Sequence, residues 1–513
     1  MSQMTRRRFV QLGAQGIVLA TIPGFLRFNP TAAFARPAGG LAGLAEYYAH
    51  FGVDEKIIKD VMAAALSHGG DYCDVFFKHN IDTNVTLEDD KVSRASTFVG
   101  LGVGIRVLKG DQTGYSFTEE ITPESMKLAA KTAAAIATSG GATAPAGLKF
   151  KPGPDYYPIQ IPWEEVLVDK KIPLLQKVNE KMAALEPSLV RRRVQFGDGT
   201  SYILVATSDG KLACDYQPMT SISGVCTAEK NGRRETSYAS FSHRVGLDYY
   251  TDELLSNLAS DAVKDTLRMF EAVKPEAGEM PVVLGPAHSG ILLHEAIGHG
   301  MEADANRKNE SIYADKIGKP IAKDIVTIVD DGSNPHERGS INVDDEATPS
   351  QRTVLVENGI LQTYMHDLIS AKHYGVAPTG NGRRESFRNN PVPRMRNTYM
   401  LNGPHTREEI IQSVKKGLYC ESFTNGEVRI GPGDFTFYVK SGNLIEDGKL
   451  TAPVKDVNII GNGPQVLEKV TMVANDFRMS DNTWTCGKSG QSVPVTLGQP
   501  TVLVSSITVG GVG

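Results

Sequence analysis

His294-Glu295-Ala296-Ile297-Gly298-His299 sets two imidazoles and a carboxylate within six residues, directly after an apolar run. Neutral histidines ligate zinc, and a glutamate beside the metal can take a proton from its water, so the string reads as a site for metal-assisted hydrolysis. The spacing is unusual. In the common metalloprotease motif the histidines stand four apart on one helical face, whereas here they stand five apart, roughly 140° around an ideal helix. One metal reaches both only if the helix bends or bulges, and Gly298 and Gly300 are the residues that would permit this. Taken alone, the string also fits a helix with two solvated or capped histidines.

A thiol near the other end adds to the first reading. Thr485-Cys486-Gly487-Lys488-Ser489-Gly490-Gln491 places a cysteine in a Gly-rich turn beside a lysine, a setting expected to keep the thiolate accessible and lower its pKa. Joined to His294 and His299, Cys486 would complete a His2Cys set with one position open to water, as catalytic zinc requires. A lone cysteine is otherwise more often a small buried hydrophobe.

These motifs, with others along the chain, resemble those of the TldD/PmbA family of metallopeptidases, in the TldD branch that keeps the metal motif. The resemblance runs from about Asp71 to the C-terminus, through Gly102-Val103-Gly104-Ile105-Arg106-Val107-Leu108 and Leu293 to Glu302. It continues through Asp330-Asp331-Gly332, Asp344-Asp345-Glu346, Thr379-Gly380-Asn381-Gly382-Arg383-Arg384, Arg394-Met395, Asn397-Thr398 and Cys486-Gly487-Lys488. It implies that His294, His299 and Cys486 are the zinc ligands and that Glu295 is the catalytic carboxylate. It also implies an α/β N-terminal domain, a mainly β C-terminal domain, and a dimer formed with a second copy or with a metal-free TldE/PmbA-like paralogue. The chain departs from the family pattern at Thr424-Asn425-Gly426-Glu427-Val428 and at Ser489; neither is a proposed ligand, so the departures bear on substrate preference.

The first thirty-five residues read as an address. Thr5-Arg6-Arg7-Arg8-Phe9-Val10 has the twin-arginine pattern, a moderately apolar stretch runs to Ile22, and Ala33-Phe34-Ala35 is a small-residue cleavage site. The expectation is a signal peptide over 1–35, export to the periplasm already folded, and a mature chain starting near Arg36. Removing that segment deletes four arginines and no acids, which takes the formal charge from -5 to -9. A mildly acidic protein without a basic run is no match for a phosphate backbone, so nucleic acid is not an expected partner. No later apolar stretch is long enough to span a bilayer. Five cysteines in 513 residues are too few for a disulfide scaffold, although Cys214 and Cys226 are spaced to pair across a hairpin or to be two buried thiols.

Composition is ordinary for a globular protein, 41% apolar and 22% charged, and the length suggests two or three domains. Helical spacing covers Leu41 to Ser67, and strand-like pieces follow at Tyr72–Phe77, Asn84–Leu87, Thr97–Val107 and Gly114–Phe117. Thr122-Pro123-Glu124 supplies an N-cap, a first-position proline and an acid, opening a helix expected to end near Thr138. These pieces form an N-terminal α/β domain over 41–138, and the Gly/Ala/Pro-rich stretch 139–162 reads as a linker. Residues 163–280 read as a helix from Trp163 to Leu185, a β-meander from Arg192 to Ser242, and a helix from Asp252 to Val273. Asp198-Gly199 and Asp209-Gly210 are read as the turns between successive strands. Residues 281–513 are expected to form a mainly β domain carrying the metal-site helix, so the fold class is α+β.

Four further clusters carry two readings each. Arg383 and Arg384 fit a grip on a substrate carboxylate, but loop arginine pairs are more often solvated or structural. Asp344-Asp345-Glu346 fits a hard cation, but loop acids are more often exposed. His288 fits a supporting contact to the ligands or a surface histidine, and Glu302 stands where it can orient His299. The function expected is zinc-dependent hydrolysis of small or unfolded peptides, with Glu295 as the base. The alternatives are a non-catalytic, chaperone-like partner subunit with a structural metal, and a metal hydrolase of non-peptide amides or esters.

Overall fold

The computed structural model describes residues 46–136, 142–429 and 431–511. The expected signal segment 1–35 and the beginning of the helical stretch read from Leu41 lie outside the described residues, while the helix read to Thr138 ends at Ala134. Strands β1 (Tyr72–Glu88), β2 (Lys91–Lys109), β3 (Gln112–Thr118), β4 (Lys149–Phe150), β5 (Leu189–Thr207), β6 (Lys211–Lys230) and β7 (Arg233–His243) make one seven-stranded sheet. Its order is β3-β2-β1-β5-β6-β4, with β7 also paired to β6. Alternation decides its two faces. Cys73, Val75 and Phe77 of β1 join Val61, Met62, Met126, Leu175 and Leu258 from the helices Glu55–Ala65, Pro123–Ala134, Val168–Leu185 and Asp252–Glu271 in one core. Phe76, Ile203 and Val205 point the other way and pack on Ala347 and Phe387. The stretch read as one helix from Leu41 to Ser67 is broken: a 3-10 turn at Tyr48–Phe51 ends at left-handed Gly52, and a new helix starts at Asp54, whose side chain accepts from the Ile57 amide. The next helix begins where the sequence predicts, with Thr122 accepting from Ser125 ahead of Pro123.

This sheet runs without a break through the stretches expected as separate N-terminal and middle regions, because β1 pairs with β5 from Asp74↔Thr207 to Glu88↔Arg193. The described part of the expected linker, 142–162, adds β4 to the sheet and buries Tyr157, whose hydroxyl donates to Asp215 at 2.7 Å. Asp209-Gly210 is the β5–β6 turn, with Gly210 at φ 96°. Asp198-Gly199, expected as a turn, instead lies inside β5. A Cβ on Gly199 would come within 2.4 Å of the Asp82 carboxylate, and Asp198 is buried against the Lys171 ammonium at 2.7 Å. The dipeptide therefore serves close packing across strands. Cys214 and Cys226 both lie on β6, twelve positions and roughly 40 Å of strand apart, so the hairpin pairing is excluded; all five cysteines are free and buried.

The C-terminal part is mainly β. β8 (Gly278–Leu284), β15 (Lys416–Arg429), β16 (Asp434–Glu446), β18 (Val457–Asn462) and β24 (Val502–Gly511) close a barrel, since β15 pairs with both β8 and β16. Closure leaves no open edge among these five. β17 (Lys449–Pro453) and β19 (Val470–Val473) flank it. A second sheet holds β9 (Ile328–Asp331), β10 (Arg352–Glu357), β11 (Ile360–Leu361), β14 (Asn397–Met400), β20 (Arg478–Met479) and β23 (Thr496–Gln499). Two hairpins complete the strands: β12 (Gly382–Arg383) with β13 (Val392–Pro393), and β21 (Thr485–Lys488) with β22 (Gln491–Pro494). The fold class is thus α+β, as expected.

Buried charge joins the halves. Arg106 of β2 lies 2.6 Å from Asp74 of β1 and 2.7 Å from Glu346, and Arg384 lies 3.1 Å from the same Asp74. Asp344-Asp345-Glu346, expected exposed, is buried: Asp344 accepts amides of Glu346, Thr348 and Gly382, and Asp345 accepts the amide of Arg384. Arg383 and Arg384 are likewise buried, not solvated. Among the described residues, no helix is long and apolar enough to cross a membrane.

Candidate metal centre

β8 delivers the chain into a run of short helical turns: a 3-10 turn at His288–Gly290, an α turn at Ile291–Leu293, a π turn at His294–Gly298 and a 3-10 turn at His299–Met301. The π turn answers the spacing problem. The His299 amide donates to the His294 carbonyl, so residues five apart stack on one side of the turn. The distortion comes about differently from the glycine freedom expected. Gly298 has helical angles, φ -57° and ψ -50°, and its value is space: a Cβ there would meet Met395 Sδ at 2.0 Å. Gly300 likewise leaves room for the Tyr313 ring, 2.6 Å from where its Cβ would stand.

Cys486 sits on β21, two residues ahead of a turn in which Ser489 and Gly490 have φ 52° and 71°, the signs a two-residue hairpin favours. The hairpin brings the thiol to the histidines. One ligand atom from each of His294, His299 and Cys486 lies within 4.8 Å of the other two, and Cys486 Sγ is 3.4 Å from His299 Nε2. A tetrahedral zinc with sulfur and nitrogen ligands sets neighbouring donor atoms roughly 3.3–3.8 Å apart, so the donors present suit that ion. His294 Nδ1 is buried without a hydrogen-bond partner among protein atoms, a state a ligand-free interior avoids. No other His/Cys/Asp/Glu group among the described residues clusters in this way.

The thiol is buried, not accessible as expected. Burial alone would raise its pKa, but His294 and His299 outweigh that and hold it well below the usual thiol range; the neighbouring Lys488 is turned elsewhere. Glu295 stands beside the set, its Oε2 3.8 Å from His299 Nε2. Burial pushes its carboxyl up, against the pull of His294 and His299. Glu302 Oε2 lies 2.9 Å from His299 Nδ1, which leaves Nε2 for a metal. Glu302 is also buried, but Lys488 and His299 overcome the desolvation and hold its carboxyl down at about 2.

The remaining expected candidates lie elsewhere. His288 Nδ1 is 2.8 Å from Ser480 Oγ, with Asp481 at 3.6 Å from Nε2. Arg383 donates to the carbonyls of Met395 and Pro494 at 2.6 and 2.9 Å, while Arg384 stacks on Phe76 and donates to Asp74 and the Asp345 carbonyl. Sequence reasoning gave no role to Arg394, which donates to the Cys486 and Gln491 carbonyls at 2.5 and 3.3 Å and so braces the thiol hairpin. It also missed Asp304, 2.7 Å from Lys488 Nζ.

Three consecutive family domains cover this chain: PmbA/TldA metallopeptidase domain 1 over residues 73–137, the central domain over 161–270 and the C-terminal domain over 277–511. The chain belongs to the PmbA/TldD metallopeptidase family. It is 39% identical over 454 residues to a metalloprotease TldD homolog of Haemophilus influenzae, covering 87% of this chain and 94% of that one. It is 29% identical over 448 residues to a zinc metalloprotease TldD homolog of Saccharolobus solfataricus, covering 86% and 97%. In fold it is similar to TldE from Thermococcus kodakarensis, with a TM-score of 0.70 at 20% identity over 89% of this chain and 99% of that one. A Thermotoga maritima protein described as a putative modulator of a DNA gyrase gives 0.72 at 20% identity, covering 89% and 100%.

Proposed function

We propose that this chain is a zinc-dependent peptidase of small or unfolded peptides, and the observation that carries the reading is the placement of Glu295. It is a half-buried carboxyl at the edge of the His294–His299–Cys486 cluster and outside the ligand set. A purely structural metal has no use for such a group. Zinc held by these three residues would supply a Lewis acid that polarises a peptide carbonyl and acidifies a water. Glu295 accepts the proton of the attacking water and passes it to the leaving amine. His299 is kept in one orientation by Glu302, so its Nε2 stays directed at the cluster. The Cys486 thiolate donates more charge than a third imidazole, so turnover is modest.

Zinc is supported by the donor set and by the name of the Saccharolobus relative. The working unit we propose is two chains, formed with a second copy or with a TldE-like paralogue, on the ground of the family resemblance. The Arg6-Arg7 pair and the Ala33-Phe34-Ala35 site support twin-arginine export to the periplasm; export of a folded chain would let metal be loaded before crossing. Changing Arg6 and Arg7 to lysine should hold the precursor in the cytoplasm, and normal periplasmic appearance of that variant in cell fractionation would remove the export claim.

The enzymatic reading is tested with two variants of the purified protein, assayed on a peptide library with any required partner present. Glu295→Gln should keep its zinc and lose at least about a hundredfold in cleavage. Cys486→Ala should hold well below one zinc per chain. Undiminished cleavage by Glu295→Gln would place the base elsewhere, and stoichiometric zinc in Cys486→Ala would remove the third ligand.

A further inference from the structure

The two halves of the candidate metal site come from segments 187 positions apart, so something must fix the thiol hairpin against the histidine turn. Lys488 is two residues beyond Cys486 on β21, and in a strand that spacing puts both side chains on one face. Its side chain is 9% exposed, and its ammonium lies 2.9 Å from Glu302 Oε2 and 2.7 Å from Asp304 Oδ1 and donates to the Pro393 carbonyl at 3.2 Å. Glu302 Oε2 is the same oxygen that faces His299 Nδ1. One carboxylate oxygen therefore serves a ligand-orienting contact from the histidine turn and an ion pair from the hairpin.

We propose that Lys488, through Glu302 and Asp304, is a positioning residue that clasps the Cys486 hairpin to the histidine turn and so holds the metal site formed before metal arrives. The proposal rests on the reading of His294, His299 and Cys486 as the metal site. Arg394 cannot do the same work, because it grips only main-chain carbonyls within the hairpin. Among the described residues, Lys488 is the hairpin side chain that forms ion pairs with the acids that follow His299. The pairing is buried and therefore sensitive: taking away the cation strands two carboxylates, one of which is the support of His299.

The test uses the full-length protein and two readouts. The first is alkylation of Cys486 by iodoacetamide in metal-free protein, followed site by site by mass spectrometry. In wild type the thiol is buried against the histidines and should react slowly. Lys488→Met should free the hairpin and speed modification at Cys486 at least about tenfold, with Cys73, Cys214, Cys226 and Cys420 unchanged as internal controls of the fold. The second is zinc affinity measured by chelator competition, expected to weaken about 10- to 100-fold. Lys488→Arg, which keeps the charge and its donors, should recover most of both. Asp304→Asn removes one of the two anchors at a partly exposed position and should shift both readouts in the same direction by less, which covers the case in which Lys488→Met does not fold. Wild-type rates or affinity in Lys488→Met, or in Asp304→Asn if that alone folds, or failure of Lys488→Arg to restore them, would overturn the clasp. Absence of zinc binding in wild type would instead overturn the metal-site reading, and the alkylation rates would still judge whether Lys488 holds the hairpin.

Discussion

Glu337 illustrates what desolvation does to a single side chain. Burial pushes its carboxyl up to about 7, opposed by a hydrogen bond with Thr496 and aided by the like charge of Asp481. The His243 imidazole lies 3.7 Å away and is itself shifted down by burial. A folded-state value above the unfolded one favours the protonated native chain. The contribution is therefore complete below the ordinary glutamate range and disappears as pH rises through about 7. The wild type should lose stability between pH 5 and pH 8 relative to Glu337→Gln, by on the order of 2–3 kcal/mol, measured by urea denaturation at each pH; parallel pH profiles would refute the shift. Single residues are also where the sequence was most readable at the site. Type and spacing single out His294, Glu295, His299 and Cys486, and the structure brings ligand atoms of the two histidines and the cysteine within 4.8 Å of one another. Lys488 and Arg394 do not, since a lysine or arginine gains meaning only from the distant segment it meets. The same holds for Asp344-Asp345-Glu346, whose burial depends on Arg106 and Arg384 arriving from elsewhere.

Among elements, the π turn His294–Gly298 is the one on which the site depends. An α-helical continuation would swing His299 away from His294, and the turn persists because Gly298 lets Met395 close over it. Gly298→Ala should cost about 1–3 kcal/mol by overpacking and weaken zinc binding. In the double variant with Met395→Ala the two costs should fall short of their sum, as read by denaturant midpoints and chelator competition; strict additivity would show that the methyl and the thioether do not meet. A five-residue histidine spacing was legible as requiring a distortion, but not as this one, because the partner Met395 is almost a hundred positions away. Asp198-Gly199 shows the converse error. Its local signal is that of a turn, yet fifteen cross-strand pairs with β1 keep the chain extended through it, and a turn propensity is too weak to oppose a ladder of that length.

For the molecule as a whole, the buried Arg106–Asp74–Glu346 and Arg384–Asp74 pairs tie the large sheet to the C-terminal loops. Arg106→Met should destabilise the chain by about 3–5 kcal/mol, because it leaves a buried carboxylate without its cation; equilibrium unfolding within 1 kcal/mol of wild type would show the network to be dispensable. Strand pairing carries one sheet past residues 139–162, because pairing between β1 and β5 is a long-range property that local glycine and proline content does not record. The same long range governs how the barrel comes into being. Leu284 of β8 is paired in register with Val502 of β24, and at about 5–20 residues per second a ribosome takes roughly 10–40 s to make the ~220 residues between them. For that interval the nascent chain carries a seam of unpaired amides and two imidazoles that have no thiolate to meet. Metal capture by these three residues would thus be deferred until synthesis is almost finished, and any factor that shields the growing chain has most to contribute while the last strand is still unmade.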